Sequence, residues 1–265
     1  MACDVSIVPC ASYEPGLLRR RLEEALAPLG GLDWVRPGMT VALKANLVTF
    51  ARPEAAATTH PALLAALTAL LRERGAAVVV GDSPGGLFTA PYVRRIYDAC
   101  GLRAVAEAGG RLNDEFSQRD FSFPAGAVCR SFPYTAWLDR ADAIINCCKL
   151  KTHGMMALSC GAKNLFGVLP GTRKPEFHFR YRNPADFARM LVDVAEAVQP
   201  RLTICDAVVA MEGNGPTAGT PRPLGRLLAA ASPHRLDLLA AAMVGLSRRE
   251  VPTLEAAYEQ GLIPA

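Results

Sequence analysis

Short apolar runs alternate along this chain with longer stretches in which leucine, alanine and valine recur every three or four residues. Short runs bounded by turn formers read as buried strands, and three-to-four spacing reads as one face of a helix. Val5 to Val8 predicts a first strand, and Pro15 to Leu29 a helix with Leu17, Leu18, Leu22, Ala25 and Leu26 on one face, stopped by Gly30-Gly31. Met39 to Leu43 predicts a buried strand leading into Lys44-Ala45-Asn46. The helix beginning near Pro61 repeats Leu63, Leu64, Leu67, Leu70 and Leu71 and ends at Gly75; Thr59 is its expected N-cap, with Pro61 tolerated in the first turn. Ala77 to Val80 gives another strand, bounded by Gly81-Asp82-Ser83-Pro84-Gly85-Gly86, before helical spacing returns over Pro91 to Cys100.

The pattern repeats downstream. Ala143 to Cys148 predicts a strand, Asn183 to Val198 an amphipathic helix opened by Asn-Pro, and Leu202 to Ala210 a strand that runs into a glycine-rich loop. Arg226 to Ala231 and Leu236 to Leu246 close it. Arg111 to Pro133 is less regular, with apolar residues at Phe121, Phe123 and Val128, and reads as a small β insertion or edge hairpin. Strand, loop and helix in repeated order are the βαβ signature of a parallel sheet. The expected fold is therefore α/β: a single domain over residues 1–265, with a mainly parallel β-sheet flanked by helices and a small β insertion around 111–133. No repeat, low-complexity tract or long linker divides the chain.

Composition narrows the function classes. Hydrophobic residues make up 51% and charged residues 20%, ordinary for a globular protein, and no stretch approaches the ~20 apolar residues of a membrane span. The start, Met1-Ala2-Cys3-Asp4-Val5, lacks the basic and apolar regions of a secretory leader, so a cytoplasmic location with reduced thiols is expected. A net charge of +4 is too small for the dense basic face that nucleic acid requires. None of the eight cysteines forms a Cys-x-x-Cys pair. Most read as small buried hydrophobes, and Cys147-Cys148 with Cys160 is the one grouping that could hold a metal or cluster. His153, His178, Asp206 and Glu212 are separated singletons, so no metal ligand set is assigned.

In open parallel sheets, ligands sit beyond the carboxyl ends of the strands. Polar clusters follow four predicted strands: Lys44 and Asn46, Asp82 to Gly86, Lys149 to His153, and Glu212 to Gly219. Lys149-Leu150-Lys151-Thr152-His153 places three potential cations in one predicted loop; a small anion complements them, whereas a merely solvated loop would leave them idle. Lys163-Asn164, between Gly161 and Gly167, adds another such pair, since glycine permits close approach to a ligand. Met211 to Gly219 lacks the dinucleotide spacing, has Pro216 where a helix should start, and reads either as a plain turn or as a seat for Glu212 as acid or base. Asp82 and Ser83 could cap the next helix or, with their N–H groups, meet an anion. His60, at a helix start, reads as structural, and His234, in an expected loop, carries no specific signal. Pro175 to Arg182 alternates aromatic and basic residues; as an extended lid it would turn its aromatics inward and bring His178 and Arg180 to the site. Hydrolase motifs are absent, and Ser159 falls in an expected helix without a neighbouring base.

With Val41 to Val48, Thr59-His60-Pro61, Gly81 to Gly85, Lys149 to His153, Gly161 to Gly167 and Met211 to Gly219, the chain resembles the family called domain of unknown function 362 across nearly its whole length. Many relatives append a ferredoxin-type module, so the resemblance implies work with electrons. No Cys-x-x-Cys-x-x-Cys run occurs here, and a redox role would need a separate electron donor, a bound cofactor or the thiols.

The expected site binds a small anionic molecule through Lys44, Asn46, Asp82, Lys149, Lys151, Lys163, Asn164 and Asn214, with Glu212 or His153 moving the proton. Three functions fit: a redox enzyme with an external donor, a redox-independent isomerase or lyase, and a non-catalytic binding module. The cofactor is unassigned, and a homo-oligomer is compatible with the sequence.

Overall fold

The structure is a computed structural model that describes residues 4–264; Met1 to Cys3, part of the start on which the expected location rests, lie outside the described residues. Its strands are β1 (Val5–Pro9), β2 (Thr40–Lys44), β3 (Ala77–Gly81), β4 (Arg111–Leu112), β5 (Gln118–Ser122), β6 (Ser131–Thr135), β7 (Ala143–His153), β8 (Ala157–Ser159), β9 (Leu202–Glu212) and β10 (Thr220–Ala230). Its α-helices are α1 (Pro15–Leu26), α2 (Pro61–Glu73), α3 (Ala90–Ala99), α4 (Arg103–Glu107), α5 (Gly161–Asn164), α6 (Lys174–Arg180), α7 (Pro184–Val198), α8 (Pro233–Met243) and α9 (Pro252–Glu259).

The main sheet runs β1-β10-β9-β7-β2-β3-β4. Its centre, β9-β7-β2-β3-β4, is parallel, and β10 and β1 extend one edge in antiparallel fashion. The fold is thus mixed α/β with a mostly parallel central sheet flanked by helices, as the periodicity predicts. Successive side chains on a strand face opposite ways. On β7, Lys149 meets Tyr13, just before α1, whereas its neighbour Cys148 meets Cys160, just before α5. Helices therefore cover both faces, which explains why β2, β3 and β7 are buried almost throughout.

The insertion forms the two-stranded antiparallel pair β5-β6, while Arg111–Leu112 joins the main sheet as β4. Asp193 on α7 fastens the insertion by accepting N–H bonds from Ala127, Val128 and Cys129 at 3.0, 2.8 and 2.7 Å.

Several local expectations are corrected. His60, not Thr59, caps α2: its Nδ1 accepts from Ala62 N, and its ring stacks on Tyr13 at 3.6 Å. Thr59 Oγ1 instead donates to Cys147 O, tying the helix start to β7. β7 continues to His153, because β8 and β9 give its C-terminal half ladder partners, so Lys149 and Lys151 sit on a strand and not in a loop. Ser159 lies on β8 rather than a helix. Met211 to Gly219 is the connection between antiparallel β9 and β10. The 174–180 segment is helical, so its residues follow a turn of ~3.6 residues and not an alternating face. Arg180 lies against the Tyr181 ring and does not reach the strand ends.

Candidate functional site

Two of the expected anion-binding lysines are already matched by internal carboxylates. On β2, Lys44 is fully buried, and its Nζ stands 2.6 Å from Asp82 Oδ1, a contact of charge rather than of well-aligned hydrogen bonding. Lys44 also donates to Ala45 O at 2.7 Å, and Asp82 Oδ2 accepts from Leu47 N at 2.7 Å. On β7, Lys149 pairs with Asp206 of β9 at 2.9 Å and donates to Tyr13 Oη at 3.0 Å, while Asp206 also accepts from Tyr13 Oη and His60 N. A buried charge is tolerated only when paired and hydrogen-bonded, and both pairs meet that condition. Neither ammonium is left over for an external anion.

A chain of amides connects this layer to the strand ends. Asn164 Nδ2 donates to Asn146 Oδ1 at 2.7 Å, Asn46 Nδ2 to Asn164 Oδ1 at 3.0 Å, and Lys151 Nζ to Asn46 Oδ1 at 2.8 Å and Ala57 O at 2.7 Å. Lys151 is buried without a carboxylate partner. Desolvation, helped by Lys163 and Lys149 nearby, pulls its pKa down to about 7.

Above this layer a cavity of about 210 Å³ opens, lined by Asn46, Asp82, Ser83, His153, Lys163, Asn164, Lys174 and His178 among others. Lys163 forms no hydrogen bond or ion pair among the described residues, and burial lowers it to about 8. Lys174 at the start of α6 is also lowered to about 8 by burial, and donates only to the carbonyl of Ser83. Ser83 Oγ is fully buried and has no partner among the described residues. His153 Nδ1 accepts from Met155 N and Met156 N at 3.1 Å, which leaves the proton on Nε2. Burial, with Lys163 and Lys151 nearby, pushes His153 down to about 3, so it is a neutral hydrogen-bond donor and not a ready base. His178 stacks on Phe187 at 4.5 Å and is likewise lowered by burial. Gly167 is required against this wall, because a Cβ there would overlap Asp82 and Lys44.

The structure thus brings together Lys44, Asn46, Asp82, Lys151, His153, Lys163 and Asn164, with Lys149 one layer away. It does not bring Glu212 or Asn214 to the cavity of Lys163, although Lys151 and Glu212 border a second cavity together. Glu212 is paired with Arg222 across the β9-β10 hairpin and lines a different, more apolar cavity, and Asn214 is exposed on the hairpin turn. Asp82 and Ser83 do not cap α3, whose first residue follows Thr89. Three participants were not singled out from sequence: Lys174, Ser83 as an individual donor, and Asp206 as the partner of Lys149. Asp206 carried a usable signal, a carboxylate inside the apolar run Leu202 to Ala210, where burial demands a cation.

Fold and site define a class: a doubly flanked α/β protein whose strand ends carry a lysine- and histidine-lined cavity. The chain belongs to the family described as Domain of unknown function (DUF362), whose model matches residues 41–242. It is 35% identical over 274 residues to the thylakoid-associated protein sll1697 of Synechocystis sp. (strain ATCC 27184 / PCC 6803 / Kazusa), across 100% of this chain and 81% of that protein. The lactate racemase apoprotein from Thermoanaerobacterium thermosaccharolyticum shares the fold at a TM-score of 0.54 and 14% sequence identity, over 90% of this chain and 56% of that one. No described helix is long and apolar enough to cross a membrane.

Proposed function

We propose that this chain binds a small carboxylate-type anion in the Lys163–Lys174 cavity and moves a proton on it, as an isomerase or lyase would. The observation that carries the reading is the unpartnered Lys163 ammonium beside the unpartnered, buried Ser83 Oγ. A desolvated cation without a counter-ion costs stability in the empty protein and gains an attractive partner when an anion enters. The remaining Nδ2 hydrogen of Asn46 and the Nε2–H of His153 would orient the ligand, since both Nδ2 hydrogens of Asn164 are already given to Asn146 Oδ1 and Lys44 O. Lys163 and Lys174, both lowered to about 8, can each exist as ammonium or amine near neutral pH, the condition for proton transfer. The reading therefore passes the base role from Glu212 and His153 to a lysine.

The fold-level likeness to lactate racemase suggests short hydroxy- or keto-acids as the first compounds to try, an analogy of fold and not of site. The electron-transfer reading finds less support at the cavity, since no thiol lines it. The proposed setting is the cytoplasm; association with thylakoids is named for the relative alone.

The test is calorimetric binding of a panel of two- to four-carbon hydroxy-, keto- and dicarboxylic acids and phosphate, with solvent deuterium exchange at the α-carbon followed by NMR. Binding that disappears in Lys163→Met, with deuterium incorporated by the wild type, is expected. Binding unaffected by that substitution would overturn the site, and binding without exchange would reduce the chain to a ligand-binding module.

A further inference from the structure

Away from the cavity, three thiols converge in the core. Cys148 on β7, Cys205 on β9 and Cys160 just before α5 are all buried, and their Sγ atoms all lie within 4.8 Å of one another. Cys148 and Cys205 are direct partners in the parallel β7-β9 ladder. Cys160 completes the triangle, with its sulfur 3.8 Å from that of Cys148 and 3.5 Å from that of Cys205. Cys147, equally buried and next in the chain, points to the other face of the sheet, where its thiol faces Ile145 O. The group is therefore not the Cys147-Cys148-Cys160 set that sequence proximity suggests: the ladder replaces Cys147 with Cys205.

We propose that Cys148, Cys160 and Cys205 form a three-thiolate site for copper(I). A first-row d¹⁰ ion sits about 2.3 Å from a thiolate sulfur, which sets sulfur atoms about 3.8 Å apart around a tetrahedron and about 4.0 Å apart in a trigonal plane. Two of the separations, 3.8 and 3.5 Å, already lie near those values and the third is within 4.8 Å, so loading requires only a small adjustment of the triangle. Thiolates select soft ions such as copper(I) and zinc. Structural zinc takes four ligands; among the described residues no fourth histidine or carboxylate atom lies within 4.8 Å of all three sulfurs, and Asp237, which reaches Cys160 alone, is committed to Gly161 N and Ala162 N. Three sulfurs in a dry core are a complete set for copper(I). Two of them ride on paired strands, and the third precedes a helix start held by Asp237, which accepts from Ala162 N at 3.0 Å and from Gly161 N. The ligands are thus pre-positioned by the fold. Binding exchanges three thiol protons, released to the buffer, for one copper(I), with no change of oxidation state.

The test uses the full chain expressed in copper-supplemented cells and purified anaerobically with a competing copper(I) chelator, so that the ion is present while the core forms. One equivalent of copper per chain is expected, with thiolate-to-copper ultraviolet absorption and X-ray absorption showing only sulfur neighbours at about 2.3 Å. Cys205→Ser should lose the copper, and Cys147→Ser should keep it. If a serine variant does not fold, the stoichiometry and sulfur-only shell of the wild type still decide. A wild type without copper, a shell containing nitrogen or oxygen, zinc bound in place of copper, or copper kept by Cys205→Ser would each overturn the proposal.

Discussion

Replacing Lys163 with methionine preserves the length of the side chain and removes its charge. Burial lowers this lysine from 10.5 to about 8, a shift that corresponds to about 3 kcal/mol of penalty for the charged form. The side chain is only partly buried, so water screens it and a gain of about 1–3 kcal/mol is the expected effect of removing the charge. For a chain of this size that raises Tm by roughly 2–8 °C at pH 7. The sign with pH is fixed. Below about 8 the lysine is charged in both folded and unfolded states and the cost is fully present; between about 8 and 10.5 the folded protein sheds the proton first and the cost fades. The Tm advantage of Lys163→Met should therefore shrink as pH rises through that window. The same substitution should weaken anion binding about 30-fold or more, as expected when one partner of a desolvated charge pair is removed. Differential scanning calorimetry at pH 7 and pH 10.5, with isothermal titration of the best-binding carboxylate, checks both arms. A Tm lowered at pH 7, or raised equally at both pH values, would refute the view of Lys163 as an unpartnered ammonium.

Further outcomes follow from the same electrostatics. Anion affinity should be full below pH 8 and fall above it, by up to about tenfold per pH unit for each lysine, because Lys163 and Lys174 both lose their protons from about 8 and a bound anion holds them on; calorimetry from pH 6.5 to 9.5 reads this, and affinity rising with pH would contradict it. Lys149→Met leaves Asp206 buried without its cation and should cost about 3–5 kcal/mol by urea unfolding. Glu212→Gln breaks only a partly exposed ion pair and should change stability by less than about 0.5 kcal/mol and leave anion affinity unaltered; a loss of binding would return Glu212 to the site.

Most of the fold was legible because the buried strands and amphipathic helices carry their periods openly. Val41 to Leu43 and Val78 to Val80 are apolar on both faces, and the leucines of α2 keep helical spacing. What could not be read locally depended on distant partners. β7 extends through two lysines and a histidine only because β8 and β9 supply its ladder, and nothing within Lys149 to His153 states that. The 175–182 segment alternates by residue type, yet Lys174–Arg180 folds as a helix, where Phe177 is buried against the Phe166 ring and His178 packs between Phe166 and Phe187. Glycine-rich loops after strands were read alike, although Gly81 to Gly86 follows a parallel strand and forms one wall of the cavity while Gly213 to Gly219 closes a hairpin and reaches the cavity only through Pro216.

The candidate site was legible as a set of residue types and not as a set of roles. Four lysines were grouped by sequence with a single task, but depth divides them, and the structure adds Lys174 as a fifth. Lys44 and Lys149 belong to neutral pairs that any close relative of this packing would need simply to bury a strand carrying lysine. Lys151 is held by an amide oxygen and a carbonyl, and Lys163 and Lys174 face the cavity without a carboxylate. A core shaped by stability alone would place an acid beside each ammonium or replace it with an apolar residue, since an unmatched charge in a desolvated place lowers stability. Natural sequences break that rule chiefly where a ligand supplies what the fold withholds. The boundary between the paired and the unpaired lysines therefore marks the boundary between scaffold and site, and it falls at Asn46 and Asn164, whose amides face the paired layer on one side and the cavity on the other.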